Sequence, residues 1–252
     1  MFATIYVPRF ALQAVQRQEP ELRGRCVALV NDALPPCVSV VSPEAEAYGI
    51  GKGMSSAQAQ GRCPELLFRK ASDLVIEPAR ACLLQYAGSF SPWIEETGDG
   101  IVTMEWRVWG GEDSKEKELE QALGKMVEGL ERLGFSATAG AARNPDLTIL
   151  AARCAQPTLL VLHDAPKFLS ALPLEVLSEI DPQASEEERK QQFRKFQILH
   201  RWGIRTLGQL TALPKAQLIE RLGADSGVLW DRASGCSRRL LRLIRVPERF
   251  VE

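Results

Sequence analysis

The apolar residues change their period at about Pro166, and that change limits the folds open to this 252-residue chain. Before it, short β-rich runs alternate with amphipathic stretches. Phe2–Val7 alternates as a strand does, and Phe10, Ala11, Ala14 and Val15 follow as one helical stripe. Cys26–Val30 and Cys37–Val41 read as strands on either side of the turn-rich Asn31–Pro36. Helices are predicted over 43–48 and 55–61. Another is predicted with Pro78 in its first turn and the stripe Ala79, Cys82, Leu83, Tyr86 and Phe90. Ile101–Trp106 is β-rich, and Glu112–Lys117 reads as an exposed helix start. Leu119, Leu123, Met126, Val127, Leu130 and Leu133 mark an amphipathic helix closed by Gly134. Phe135–Ala141 then reads as a strand, Pro145–Ala155 as a helix and Thr158–Leu162 as a strand, and beyond Pro166 the pattern is helical throughout. The fold class implied is α+β, a mixed sheet-and-helix part followed by a helical one.

Charge is segregated along the same axis. The net charge is −1, yet residues 189–252 hold fourteen Lys/Arg against five Asp/Glu. A basic lobe facing an anionic partner is expected, as is a solvated face at Glu186–Lys190. No apolar run reaches the ~20 residues that span a bilayer. MFATIYVPRF has no basic flank of the signal-peptide kind, so a cytoplasmic protein without membrane contact is expected. Six scattered cysteines without a C-x-x-C pair argue against a zinc site or a disulfide framework. His163 and His200 have no ligand or nucleophile partner in the sequence.

Residues 45–66, AEAYGIGKGMSSAQAQGRCPEL, carry a more specific signal. They resemble the fingers segment of Y-family translesion DNA polymerases, where A-x-x-[FY]-G-[VI] leads to Gly-Met, an Ala-rich helix and Cys-Pro-x-Leu. Tyr6–Leu12, Ile94-Glu95, Thr138–Asn144, and Ala151-Ala152 with Gln156-Pro157 resemble the family's palm motifs in the same order. The resemblance implies a β-sheet palm at 1–10 and 74–165, small α/β fingers at 11–73 and a helical thumb at 166–245. Residues 246–252 would begin a linker to a little finger that this chain lacks. Phe2–Val7 should lie centrally in the palm, beside Ile101–Trp106.

The same resemblance places Val7 at the family's first metal-binding aspartate, with Arg9 two residues on. Its catalytic Asp-Glu pair falls on Gly100-Ile101, or on Asp99-Gly100 if the alignment shifts by one. Two-metal nucleotidyl transfer depends on such carboxylates. The nucleotide-contacting positions become Leu12, Pro43, Glu46 and Gln156. The expectation that follows is a chain that is not an enzyme and holds neither metal nor cofactor. ILHRWGIRTLGQLTALP, residues 198–214, resembles the ImuB branch. Membership there implies a DNA-binding adapter in translesion synthesis. Its partners would be a RecA-like accessory protein, an error-prone replicative-type polymerase and the sliding clamp. Trp202–Thr206 has the character of a helix–hairpin–helix turn. Gly203 permits the turn, Ile204 plugs it, Thr206 caps the next helix, and backbone N–H groups there are free for a phosphate. Arg201, Arg205, Arg221, Arg238 and Arg239 complete the expected sequence-independent DNA surface. The nearby aromatics, Phe193, Phe196, Trp202 and Trp230, are expected in the core. Two alternatives are a polymerase with shifted ligands (Asp99, Glu105, Glu95) and a protein-interaction module.

Overall fold

Strand β1 (Phe2–Tyr6) is the centre of the larger sheet and the reason the two halves of the chain meet. The computed structural model describes residues 1–106 and 112–245. After β1 come α1 (Phe10–Gln18), β2 (Val27–Val30), β3 (Val38–Val41), α2 (Pro43–Ala47), α3 (Ser56–Arg62) and β4 (Leu67–Arg69). Next are α4 (Asp73–Gly88), β5 (Ile94–Gly98), β6 (Ile101–Glu105), α5 (Glu112–Arg132), β7 (Thr138–Ala142), α6 (Pro145–Cys154) and β8 (Leu159–Val161). The helices α7 (Ala165–Ser170), α8 (Glu186–Arg201), α9 (Leu207–Thr211), α10 (Lys215–Leu222) and α11 (Asp225–Ala233) complete the fold.

The larger sheet has the order β5-β6-β1-β7-β8. Strand β1 runs antiparallel to β6, with Tyr6 opposite Ile101, and antiparallel to β7, with Phe2 opposite Ala142. The expected pairing of Phe2–Val7 with Ile101–Trp106 is thus found, with β1 in the middle. The smaller sheet, β3-β2-β4, pairs β2 antiparallel to β3 and parallel to β4.

Alternate residues of β1, β6 and β7 (Ala3, Ile5, Val102, Met104, Ala139, Ala141) join Leu119, Leu123, Met126 and Leu130 of α5 in one core. The other face of the sheet receives α6. Every residue from Pro145 to Ala152 is buried, because leucines of the later helices cover α6 where the sheet does not. A helix buried all round cannot be read from amphipathicity. The run Thr138-Ala139-Gly140-Ala141-Ala142 is small for the same reason: a Cβ on Gly140 would lie 2.2 Å from the backbone nitrogen of Ala152.

Several expectations are corrected. Strands β4 and β5 were not anticipated, and the helix expected to open near Pro78 begins at Asp73, with Pro78 in its interior. The proline ring and missing donor fall against the carbonyl of Leu74, an exposed residue where water can donate instead. Helix α5 begins at Glu112. The side chains of 112–117 and the expected linker at 246–252 lie outside the described residues. No helix among the described residues is long and apolar enough to cross a membrane.

Two glycine-to-alanine changes separate packing from propensity. Gly140→Ala should destabilise by about 3 kcal/mol or more through overpacking. Gly124→Ala, in α5 with nothing near its Cβ position, should stabilise by about 0.5–1 kcal/mol. Chemical denaturation of both variants checks the pair; a neutral Gly140→Ala would contradict the close α6–β7 contact.

Candidate nucleic-acid interface

The hairpin between β5 and β6 decides which residue stands beside the end of β1. Gly100 turns the chain at φ +71°, and its carbonyl accepts a 2.8 Å hydrogen bond from the Val7 amide. It is therefore Gly100, not Asp99, that sits against the end of β1. Asp99 points out, 79% exposed, and pairs with Arg80 at 2.9 Å. A Cβ on Gly100 would approach Phe10 Cβ and the Val7 carbonyl oxygen to 2.7 Å each, so no larger side chain fits. Val7 is fully buried in the core, and Ile101 is buried beside it. Arg9 adopts a left-handed conformation (φ 51°) and pairs with Glu46. A valine, a glycine and an arginine engaged elsewhere do not fit a divalent ion, which takes carboxylate and carbonyl oxygens at roughly 2.0–2.6 Å. Among the described residues no group of three His, Cys, Asp or Glu side chains converges for a metal.

The positions expected to correspond to a nucleotide site are scattered in character. Leu12 is buried, while Pro43, at the start of α2, and Glu46 are exposed. Both Leu12 and Pro43 line a cavity of about 370 Å³ between α1, α2 and the end of α5, together with Arg9, Gln16, Arg23 and Phe135. Gln156 precedes a cis-proline at 157.

In the helical part, Gly203 turns at φ +81°, Ile204 is buried among Leu199, Leu207 and Leu210, and Thr206 caps α9 with Gln209 in a capping box. The turn is built as expected, but its amide donors are occupied. The Arg205 and Thr206 amides donate to Gln209 Oε1 at 2.7 and 3.2 Å, and Leu207 donates to the Leu172 carbonyl at 2.9 Å. The expectation that these N–H groups receive a phosphate is corrected, because satisfied donors have nothing left to offer. What remains is side-chain charge. Arg201 and Arg205 are exposed, and Arg221 lies 5.8 Å above the Trp202 ring. Trp202 is 42% exposed and Phe193 61%, so these two aromatics are on the surface, contrary to expectation. Phe196 is buried, and half-buried Trp230 donates its indole N–H to the Leu213 carbonyl. His200 has found a partner, Glu175, at 3.1 Å. Glu188 closes a capping box on Ser185 at the start of α8, and those hydrogen bonds hold its carboxyl below the usual range.

Arg238 is exposed, but Arg239 turns inward. Its Nη1 donates to Glu95 Oε2 at 2.7 Å and its Nε to Asp146 Oδ1 at 2.8 Å. Those carboxylates are 6% and 3% exposed, the guanidinium side chain 23%. Burial alone would weaken its charge, yet Glu95 and Asp146 outweigh that and raise its pKa above the ordinary value. The assignment of Arg239 to a DNA surface is thereby corrected.

The impB/mucB/samB family model matches residues 5–153. The chain belongs to this family. It is 26% identical over 246 residues to "DNA polymerase IV 2" of Agrobacterium fabrum, covering 94% of this chain and 64% of that protein. It is 28% identical over 241 residues to "DNA polymerase IV" of Halorhodospira halophila, covering 92% and 63%. The chain thus spans slightly less than two thirds of these relatives. A post-insertion binary complex of Dbh DNA polymerase superposes with a TM-score of 0.74 at 18% identity, over 95% of this chain and 68% of that one. DinB from Sulfolobus solfataricus gives 0.74 at 16%, over 95% and 68%. The fold is therefore that of a Y-family polymerase core. The expectation that the chain is not an enzyme is overturned here: its curated relatives are named DNA polymerases, and the comparisons point to an enzyme.

The junction of Gly100 with the end of β1 makes its own test. Gly100→Asp forces a branched carboxylate into a left-handed, crowded position. It should destabilise the protein by about 2 kcal/mol or more, and magnesium should not restore the loss. Thermal unfolding with and without the ion checks this; magnesium-dependent recovery would show that the junction can hold a cation after all.

Proposed function

We propose that this chain is the palm (1–10 and 74–165), fingers (11–73) and thumb (166–245) of an ImuB-type Y-family protein that works in translesion synthesis. In this reading it binds DNA without reading sequence. It also brings together a RecA-like accessory protein, an error-prone replicative-type polymerase and the sliding clamp. The observation that carries the reading is a Y-family core whose helical part presents Arg201, Arg205 and Arg221 around one exposed turn. Guanidinium groups of that kind neutralise phosphates and release counterions, which gives affinity without base readout. Trp202, supported by Arg221, adds a flat aromatic face on which an unpaired base can stack.

The relatives' names favour a second reading, in which the chain is part of a primer-extending polymerase. Asp99 would not be a metal ligand in it, being exposed and paired with Arg80, and Glu95 is held by Arg239. Template-directed extension should therefore survive Asp99→Ala. Its loss in that variant would place the metal at the β5–β6 hairpin.

For DNA, changing Arg201, Arg205 and Arg221 together to Ala should weaken binding to a labelled primer–template. The slope of log K against log salt should flatten by about 2–3, since each lost phosphate contact removes about 0.9. Fluorescence anisotropy across about 50–200 mM salt measures it. An unchanged slope would move the DNA surface away from this turn.

A further inference from the structure

The segment that follows α11, residues 236–245, forms no helix or regular strand and is attached to the edge strand β5. Two independent attachments hold it. Ile244 bridges Ile94 in antiparallel fashion, its amide donating to the Ile94 carbonyl at 3.0 Å. Arg239 enters between Glu95 of β5 and Asp146 of α6. The same carboxylates take further bonds from this segment: Arg242 N–H donates to Glu95 Oε2 at 2.6 Å, and the Ser237 hydroxyl donates to Asp146 Oδ2 at 2.6 Å.

Arg239 and Ile244 are turned to the protein, and most of the others are turned away. Arg238, Arg242 and Arg245 are exposed, with Leu240 and Leu243 between them. Among the described residues none of these three arginines makes an ion pair within 4 Å. From Arg232 to Arg245 the sequence carries five arginines and no acid.

We propose that residues 237–245 form a phosphate-tracking strap for duplex DNA, which Arg239 orients by latching it to Glu95 and Asp146. This rests on the DNA-binding reading above and adds a surface to it. The seven-residue span from Arg238 to Arg245 reaches at most about 25 Å, and a duplex carries one charge per about 1.7 Å of axis. The three guanidinium groups can therefore sit over separate phosphates. Arg239 is a positioning residue: it touches no DNA and decides which side of the strap faces out. A strand edge is otherwise a pairing hazard, so the strap also covers β5.

Three proteins test the strap against the same primer–template. The variant Arg238→Ala/Arg242→Ala/Arg245→Ala should bind about tenfold or more weakly at low salt, with a slope flattened by about 2–3. The variant Arg239→Met/Glu95→Gln/Asp146→Asn removes the latch while Arg232, which also pairs with Asp146, keeps Asp181 as its partner, and it keeps the test available if Arg239→Ala fails to fold. In it the Arg242 and Ile244 amides should exchange deuterium at least tenfold faster, and DNA affinity should fall although the three outward arginines remain. Wild-type affinity and slope in the arginine triple would overturn the strap while leaving the thumb surface standing. Unchanged exchange in the latch variant would overturn the role of Arg239. A wild-type protein that binds no DNA at all would instead remove the underlying reading. Retention of phosphatidylserine vesicles without binding to duplex DNA would overturn the proposal in favour of a membrane surface.

Discussion

A carboxylate shut away from water must find a cation or surrender its charge, and this protein buries two of them together. Asp146 stands at the start of α6, a helix enclosed on all sides, and Glu95 faces inward from the edge strand β5. Arg239 reaches both, from 93 residues beyond Asp146 and 144 beyond Glu95. Removing one partner of such a buried pair typically costs about 3–5 kcal/mol, because the charge left behind has no solvent. The requirement therefore ties the segment after the last helix to the sheet. A chain of hydroxyls continues it through the core: Thr97 bonds Glu95 and Thr103, Thr103 meets Thr4, and Thr4 meets Thr148 of α6. With Arg239 joining Glu95 to Asp146, polar contacts run from the segment after the last helix through the edge strand and the central strand to the buried helix.

The β1–β6 junction, where the Val7 amide meets the Gly100 carbonyl, delivers a buried isopropyl group and a crowded turn. Fold alone does not settle chemistry. The relatives named as polymerases correct the expectation of a chain that is not an enzyme, while the junction itself does not fit a divalent ion.

Much of the architecture was legible. The alternation in Phe2–Val7 and Ile101–Trp106 and the stripe of α5 come from one-sided burial, which periodicity reports directly. Strand β4 is three residues long and leaves too little pattern to detect. In β5 the apolar Ile94 is followed by two glutamates, one of them turned into the protein because a distant arginine waits there. Arg239 was misassigned for the same reason, since nothing local distinguishes it from Arg238. The phosphate-binding amides at Arg205 and Thr206 failed on a detail that was visible: Gln209, three residues after a threonine cap, is the signature of a capping box that uses those donors itself.

The central claim is that this Y-family core meets DNA through the turn at Trp202–Thr206 and the strap on the sheet edge. Hydrogen–deuterium exchange with and without a primer–template duplex tests it most directly. The account predicts slowed exchange confined to residues around 198–209 and 237–245. Slowing elsewhere with neither of those segments affected, or none at saturating DNA, would contradict it.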